Sequence, residues 1–218
     1  MSIQTSELIE AMEHLPAGGK LTLYGVGWDE YEAFLEQIGD SPRYRTGYDN
    51  GTLEIVTPSF KHEKYKGLVH DLVRLLGDEL NREILCYGSA TLKIEKKRKG
   101  AEADECLYIE QAAIIAGKDV IDLRSDPPPD LVVEIDETRD SSTKLPIYAG
   151  LGVPEAWRYD GDRFSFWQLT TEGYVETPFS RAFPFLSAAH LAEFISNCDT
   201  LGPRAARTIF RNWVRTAS

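Results

Sequence analysis

The sequence predicts a mixed α/β (α+β) fold in one domain over residues 1–218. Three observations predict it. A periodic apolar stripe of Tyr65, Leu68, Val69, Leu72, Leu75, Leu76 and Leu80 marks a long helix from about His62 to Asn81. Alternating segments on either side of Asp49-Asn50-Gly51, a strong turn signal, mark a β-hairpin. The short apolar run Leu131-Val132-Val133-Glu134-Ile135 follows three prolines and reads as a buried strand. At 218 residues the chain is long enough for one sizeable core.

In chain order, residues 6–15 and 28–38 carry helical apolar patterns and form an N-terminal helical lead-in over residues 1–43. Between the two, the glycines of LTLYGVG mark turns. The hairpin around Asn50-Gly51 follows, with Glu54 in its second strand, and Pro58-Ser59 opens the long helix. Cys86–Glu95 and Ala103–Glu110 read as two strands separated by the basic turn Lys93 to Lys99, which reads as a solvated loop. Residues 111–129 are a connector. After the Leu131–Ile135 strand, Asp140-Ser141-Ser142 is a helix start, Pro146 fits the first turn, and Gly150 and Gly152 mark the end. A second hairpin turns at Gly161, with Trp157, Tyr159, Phe164 and Phe166 as packing residues. Two C-terminal helices occupy residues 187–215, divided by Leu201-Gly202-Pro203.

Composition bounds the function. The chain is 42% hydrophobic and 27% charged, as expected of a soluble globular protein. A net charge of −11 argues against a protein that coats nucleic acid without specificity, because phosphate contacts need Lys and Arg. No apolar run is long enough to span a membrane. The N-terminus lacks a signal-peptide pattern, and Cys86, Cys106 and Cys198 show neither metal-ligand nor disulfide spacing. A cytoplasmic location is the expectation. There is no G-x-S-x-G, H-E-x-x-H or C-x-x-C, so nucleophilic Ser or Cys catalysis has no support.

The chemistry concentrates around Glu134. In a strand, Asp130, Val132, Glu134 and Asp136 share one face, and Leu131, Val133 and Ile135 share the other. Glu134 is flanked by core residues, where an ionised carboxylate is costly without a cation or several donors. Lys144 sits in the first turn of the next helix, where the helix dipole disfavours a cation. That position suggests an ion pair with Glu134 or a shared anionic ligand, as readily as it suggests a solvated lysine. Asp104 stands at the start of a mostly apolar strand, CLYI, either as an acid on a neighbouring strand or as a turn aspartate. Two strand carboxylates suit a hard, oxygen-seeking ion such as Mg²⁺. His62 leads the apolar stripe of the long helix, and a partly buried helix-start histidine is its plainest reading.

The segments DNGTLEIVTPSFKHE, GAEADECLYI and PPPDLVVEIDETRDSSTKLPIYAGLGVPEAWRYD resemble the Uma-type family of bacterial putative restriction endonucleases, within the PD-(D/E)XK nuclease superfamily. The resemblance spans roughly residues 44–170. It implies a restriction-endonuclease-like core, with a mixed central sheet flanked by helices and an Asp and a Glu on adjacent strands. It also implies a DNA substrate and a Mg²⁺ cofactor, with Mn²⁺ as a substitute. Residue by residue, Asp104 matches the motif aspartate, although Ala103 stands where the family has proline. Glu134 matches the strand acid. The superfamily's usual lysine two positions later is replaced by Asp136, and the amine role falls to Lys144. Asp104, Glu134 and Lys144 are therefore the expected catalytic set, with Asp104 and Glu134 as metal ligands. Asp130, Glu102 and His62 are accessory candidates, and Asp130 is equally suited to starting the strand. Two further readings stay open: a nuclease-like module that binds or assembles without cleaving, and a hydrolase of small phosphoesters. Cutting both strands of a duplex needs two sites, so a homodimer is a further expectation.

Overall fold

A computed structural model of the chain describes residues 12–39, 41, 43–136 and 143–217. The first part of the chain builds an antiparallel sheet. Its strands are β1 (Lys20–Tyr24), β2 (Arg45–Asp49), β3 (Thr52–Val56), β5 (Thr91–Ile94) and β6 (Lys99–Glu102), in the order β1-β3-β2-β6-β5. The second sheet has six strands: β4 (Leu85–Cys86), β7 (Glu105–Tyr108), β8 (Leu131–Ile135), β9 (Glu155–Tyr159), β10 (Phe164–Thr170) and β11 (Gly173–Thr177). Their order is β11-β10-β9-β8-β7-β4, antiparallel except for the parallel pair β8–β9, so the expected mixed central sheet is present. Helices α1 (Trp28–Ile38), α2 (Phe60–Leu80), α3 (Ala112–Ile115), α4 (Leu145–Leu151), α5 (Ala188–Leu201) and α6 (Pro203–Ala217) complete the described elements.

Most boundaries follow local chemistry. Asn50 and Gly51 take positive φ in the β2–β3 turn, as Asn-Gly hairpins require. The Ser59 side chain accepts the His62 backbone N–H and starts α2 two residues before the expected position. Pro146 lies in the first turn of α4, and Gly152 ends that helix with φ +86. The helix itself begins at Leu145, so Lys144 immediately precedes it. The expected start at Asp140-Ser141-Ser142 and most of the 6–15 helix lie outside the described residues.

The strands depart from the sequence pattern at four places. The expected Cys86–Glu95 strand is two strands in different sheets, β4 and β5. The break falls at Gly88, where φ is +59. The basic segment is not only a loop: Lys99 begins β6, which pairs with β5 across a single 3₁₀ turn at Glu95–Lys97. Strands β1 and β11 were not anticipated. β1 is a five-residue edge strand beside glycines that read as turns, and β11 carries only a short alternation.

The β8 alternation is borne out in the packing. Leu131, Val133 and Ile135 face the core formed with α2, α5 and α6. Val132 faces the opposite side, with Ile147, Tyr148 and Leu151 of α4 and with Leu92 and Ala101 of the first sheet. A third cluster, including Trp28, Tyr31, Phe34, Tyr48 and Leu53, joins α1 to the first sheet. The backbone crosses from one sheet to the other between β6 and β7. Asp104 sits at that crossing.

Asp130 lies at the opposite end of β8 from Asp136. Its carboxylate Oδ2 accepts the backbone N–H groups of Ile109 and Gln111 at 2.7 and 3.0 Å, while its own N–H donates to Leu107. It therefore fastens the chain after β7 to the start of β8. Charge-assisted bonds of this kind contribute roughly 1.5–3 kcal/mol each. Replacing Asp130 with Ala should lower unfolding free energy by on the order of 3 kcal/mol in chemical denaturation. Asn, which keeps one oxygen for both donors, should recover more than half of that loss.

Candidate active site

One small cavity, about 100 Å³, collects the polar groups of five elements. Among its lining residues are Arg45 of β2, Glu54 of β3, His62 of α2, Asp104, Glu134 and Lys144. Asp136, just past β8, also lines it.

Glu134 is 5% exposed. Its register on β8 places it on the Val132 face, toward α4. Lys144, just before α4, puts its Nζ 3.1 and 2.9 Å from the two Glu134 oxygens and 2.9 Å from the Glu102 backbone carbonyl. Tyr148, one turn into α4, donates its hydroxyl to Glu134 Oε1. The amine that a helix start disfavours is thus held by a carboxylate and a carbonyl. Tyr148 was counted in neither the core nor the site from sequence. Its position four residues after Lys144, on the same helix face, is the signal that could have found it.

Asp104 is held from both sides. Oδ2 accepts the Ile135 N–H at 2.7 Å, and the Asp104 N–H donates to the Val133 carbonyl at 3.2 Å. Oδ1 faces cations, with His62 Nε2 at 3.0 Å and Arg45 Nε at 3.8 Å. Asp104 and Glu134 therefore come from neighbouring chain segments and line the same cavity, with His62 on Asp104 and Lys144 on Glu134. Glu102 points its carboxylate to Arg45, 3.4 Å away. Asp130 is not part of the cavity lining and is occupied by backbone donors. Arg45 and Asp136 join Tyr148 as cavity neighbours outside the expected site set. Arg45, only 5% exposed, faces Glu102, Asp104 and the half-exposed Glu63. Asp136 holds Arg158 at 2.7 Å. The strand alternation put Asp136 beside Glu134, but a buried Arg in a hairpin strand leaves no comparable mark in the sequence.

Crowding shifts the acids unequally. Burial pushes Glu134 up to about 8; Lys144 opposes the shift, and the Asp104 and Asp136 carboxylates add to it. Burial likewise lifts Glu102 to about 7 against the pull of Arg45 and Lys144. For Asp104 burial is outweighed by the His62 hydrogen bond and by Lys144, so its carboxyl sits below the usual range. Burial opposes charge on Lys144, yet Glu134 and Asp104 hold its ammonium above the ordinary amine value. Burial also opposes charge on His62, and the bond to Asp104 overcomes it and raises the imidazole. Lys144 and Glu134 thus both hold protons more tightly than in water, as expected of several buried acids around one amine.

These shifts fix a sign. Glu102, Glu134 and His62 bind protons more tightly folded than unfolded, so their contribution to stability is complete below their unfolded values and disappears as pH rises through the folded ones. Asp104, shifted down, and Lys144, shifted up from a high value, do not titrate in that window. The melting temperature of metal-free protein should therefore fall between about pH 5 and pH 8 from this source. The combined variant Glu102→Gln, Glu134→Gln should show a visibly flatter profile by calorimetry.

Residues 28–197 match the Uma2 family, described as "Putative restriction endonuclease". No curated protein matches the chain. Among solved structures, similarity extends to a putative nuclease belonging to DUF820 from Anabaena variabilis ATCC 29413, with a TM-score of 0.49 and 16% identity. That alignment covers 75% of this chain and 95% of the other. Because the family match covers well over half of the sequence, the chain belongs to the Uma2 family.

Proposed function

We propose that the protein is a metal-dependent DNA endonuclease that hydrolyses phosphodiester bonds at the cavity holding Asp104, Glu134 and Lys144. The observation that carries this reading is the convergence of two buried carboxylates and one buried amine on a single cavity. The donor set fits Mg²⁺ or Mn²⁺: it is made of carboxylate oxygens, and burial, with a smaller push from the Asp104 and Asp136 carboxylates, raises Glu134. Asp104 and Glu134 would hold the ion, which when bound supplies a water of lowered pKa and charge neutralisation at the phosphate.

The chain's own residues have definable roles in this reading. Hydrolysis forms a bond from a water oxygen to phosphorus and breaks one ester P–O bond. The water gives up a proton, and the departing oxygen gains one. Lys144 stays protonated at neutral pH, so it serves as a hydrogen-bond donor and fixed positive charge for the pentavalent phosphate rather than as a base. The Ile135 N–H orients Asp104, and Tyr148 orients Glu134. His62 and Lys144 keep Asp104 ionised.

A DNA substrate is supported by a larger groove of about 980 Å³ that meets the cavity at Arg45, Thr57 and Pro58. Arg43, Lys66 and Lys93 line it beside Glu36, Glu63 and Glu102, so with Arg45 the groove offers phosphates four cations among three acids. Two sites are needed to cut both strands, and a symmetric dimer would supply the second.

The alternative of a nuclease-like module without cleavage has its own support: Lys144 and Tyr148 already satisfy Glu134 in the absence of any metal. Plasmid cleavage separates the two. Wild type with Mg²⁺ or Mn²⁺ should nick or linearise supercoiled DNA. Asp104→Asn and Glu134→Gln should abolish this, and Lys144→Ala should slow it by roughly 100-fold or more. Circular dichroism should confirm that each variant is folded. A wild type inert with both ions, or a Glu134→Gln that cleaves normally, would overturn the nuclease reading.

A further inference from the structure

We infer that the face of the central sheet opposite the Asp104–Glu134 cavity carries a second metal site, formed by His70, Cys86 and Glu105 and suited to Zn²⁺ or a similar borderline-soft ion. One ligand atom from each residue lies within 4.8 Å of the others. The three come from separate elements: His70 from α2, Cys86 from β4 and Glu105 from β7.

The scaffold sets this arrangement before any ion binds. Successive strand residues point to opposite faces. Glu105 therefore turns away from Asp104. It pairs with Val133, whose side chain packs in the α2 cluster. Strands β4 and β7 pair with Cys86 opposite Leu107, which brings the thiol beside Glu105. Glu105 is 4% exposed and is anchored by the Gly88 N–H, which donates to Oε1 at 2.8 Å. That bond leaves Oε2 directed at His70 Nδ1, 2.8 Å away. A carboxylate fixed by the backbone and an imidazole fixed by the carboxylate are ligands already oriented, a condition that raises affinity.

The donor chemistry selects the ion. One imidazole nitrogen, one thiol sulfur and one carboxylate oxygen disfavour Mg²⁺ and favour Zn²⁺, Co²⁺ or Fe²⁺. Binding balances as follows. Cys86 coordinates as thiolate and releases its proton to solvent. Neutral His70 takes the tautomer with hydrogen on Nε2, which frees the Nδ1 lone pair. Glu105 Oε2 exchanges the imidazole N–H for the ion and keeps the Gly88 bond through Oε1. His70 and Cys86 are both partly exposed, so the fourth position of a tetrahedral ion would face solvent and hold water. The bound ion would tie α2, which carries His62 at its start, to β7, which follows Asp104. It would stabilise the frame of the cavity without entering it.

Co²⁺ titration of chelator-treated full-length protein tests the site, since cobalt reports thiolate ligation by a near-ultraviolet charge-transfer band. One equivalent should produce that band with the visible absorption of a tetrahedral ion. Zn²⁺ should displace it, and excess Mg²⁺ should not. Cys86→Ser should lose the charge-transfer band, and His70→Gln should weaken cobalt binding by roughly 10-fold or more. The double variant Asp104→Asn, Glu134→Gln should keep the full signal, which makes this result independent of nuclease activity. Wild type with no such band, or Cys86→Ser with an unchanged one, would overturn the proposal. If either single variant proves unfolded by circular dichroism, Glu105→Gln with the same readout decides.

Discussion

A carboxylate buried in the middle of a sheet must be met by charge or by donors, and in this chain Lys144 and Tyr148 meet Glu134. Both come from the helix that follows the strand, so chain connectivity delivers the partners. An unpaired charge at this depth would cost several kcal/mol. The interaction therefore constrains much around it. Helix α4 must start where its first side chains can reach back over β8. The Glu102 carbonyl must end β6 beside the amine. Asp104 must occupy the crossing between the sheets, close enough to raise Glu134 and to help hold Lys144 protonated.

The same physics separates the cavity acids from the scaffold acids. Asp130 and Glu155 are as deeply buried as Glu134. Asp130 is satisfied by two backbone N–H groups. Glu155 is satisfied by the Trp157 indole and by the N–H groups of Arg181 and Ala182. Their partners are fixed parts of the fold. Asp104 and Glu134 instead face side-chain cations that could move, and they do so across a cavity. Burial alone would choose these four and Glu105 alike; a shared cavity is what sets Asp104 and Glu134 apart.

Much of this was legible from residues. The β8 alternation placed Glu134 and Val132 on one face and the apolar trio on the other, and the packing agrees. The misplaced cation at the α4 start pointed to Lys144. Asn-Gly, Ser59 and Gly152 marked their turns and caps through local backbone chemistry. What escaped was non-local. Arg45 is buried beside Glu63 of α2 and Glu102 and Asp104 at the β6–β7 crossing, and nothing in RYRTGYD signals that. His70 has no spacing partner in the sequence, yet it meets a glutamate 35 positions later because α2 packs on the second sheet. The Cys86–Glu95 run was read as one strand, because a period-two pattern cannot show that a chain changes sheets at Gly88. Asp136 was placed on the correct face, but its partner Arg158 comes from β9, through a parallel register that no sequence pattern shows.

In the proposed function Asp104 and Glu134 share one cation, and Lys144 gives up part of its hold on Glu134 when that ion binds. A crystal structure of the wild type soaked in Mn²⁺, with anomalous diffraction at the manganese edge, tests it most directly. One anomalous peak bonded to oxygens of both Asp104 and Glu134 is expected, with the Lys144 ammonium withdrawn from at least one Glu134 oxygen. An intact Lys144–Glu134 pair with no manganese beside it at millimolar ion would rule out the shared site.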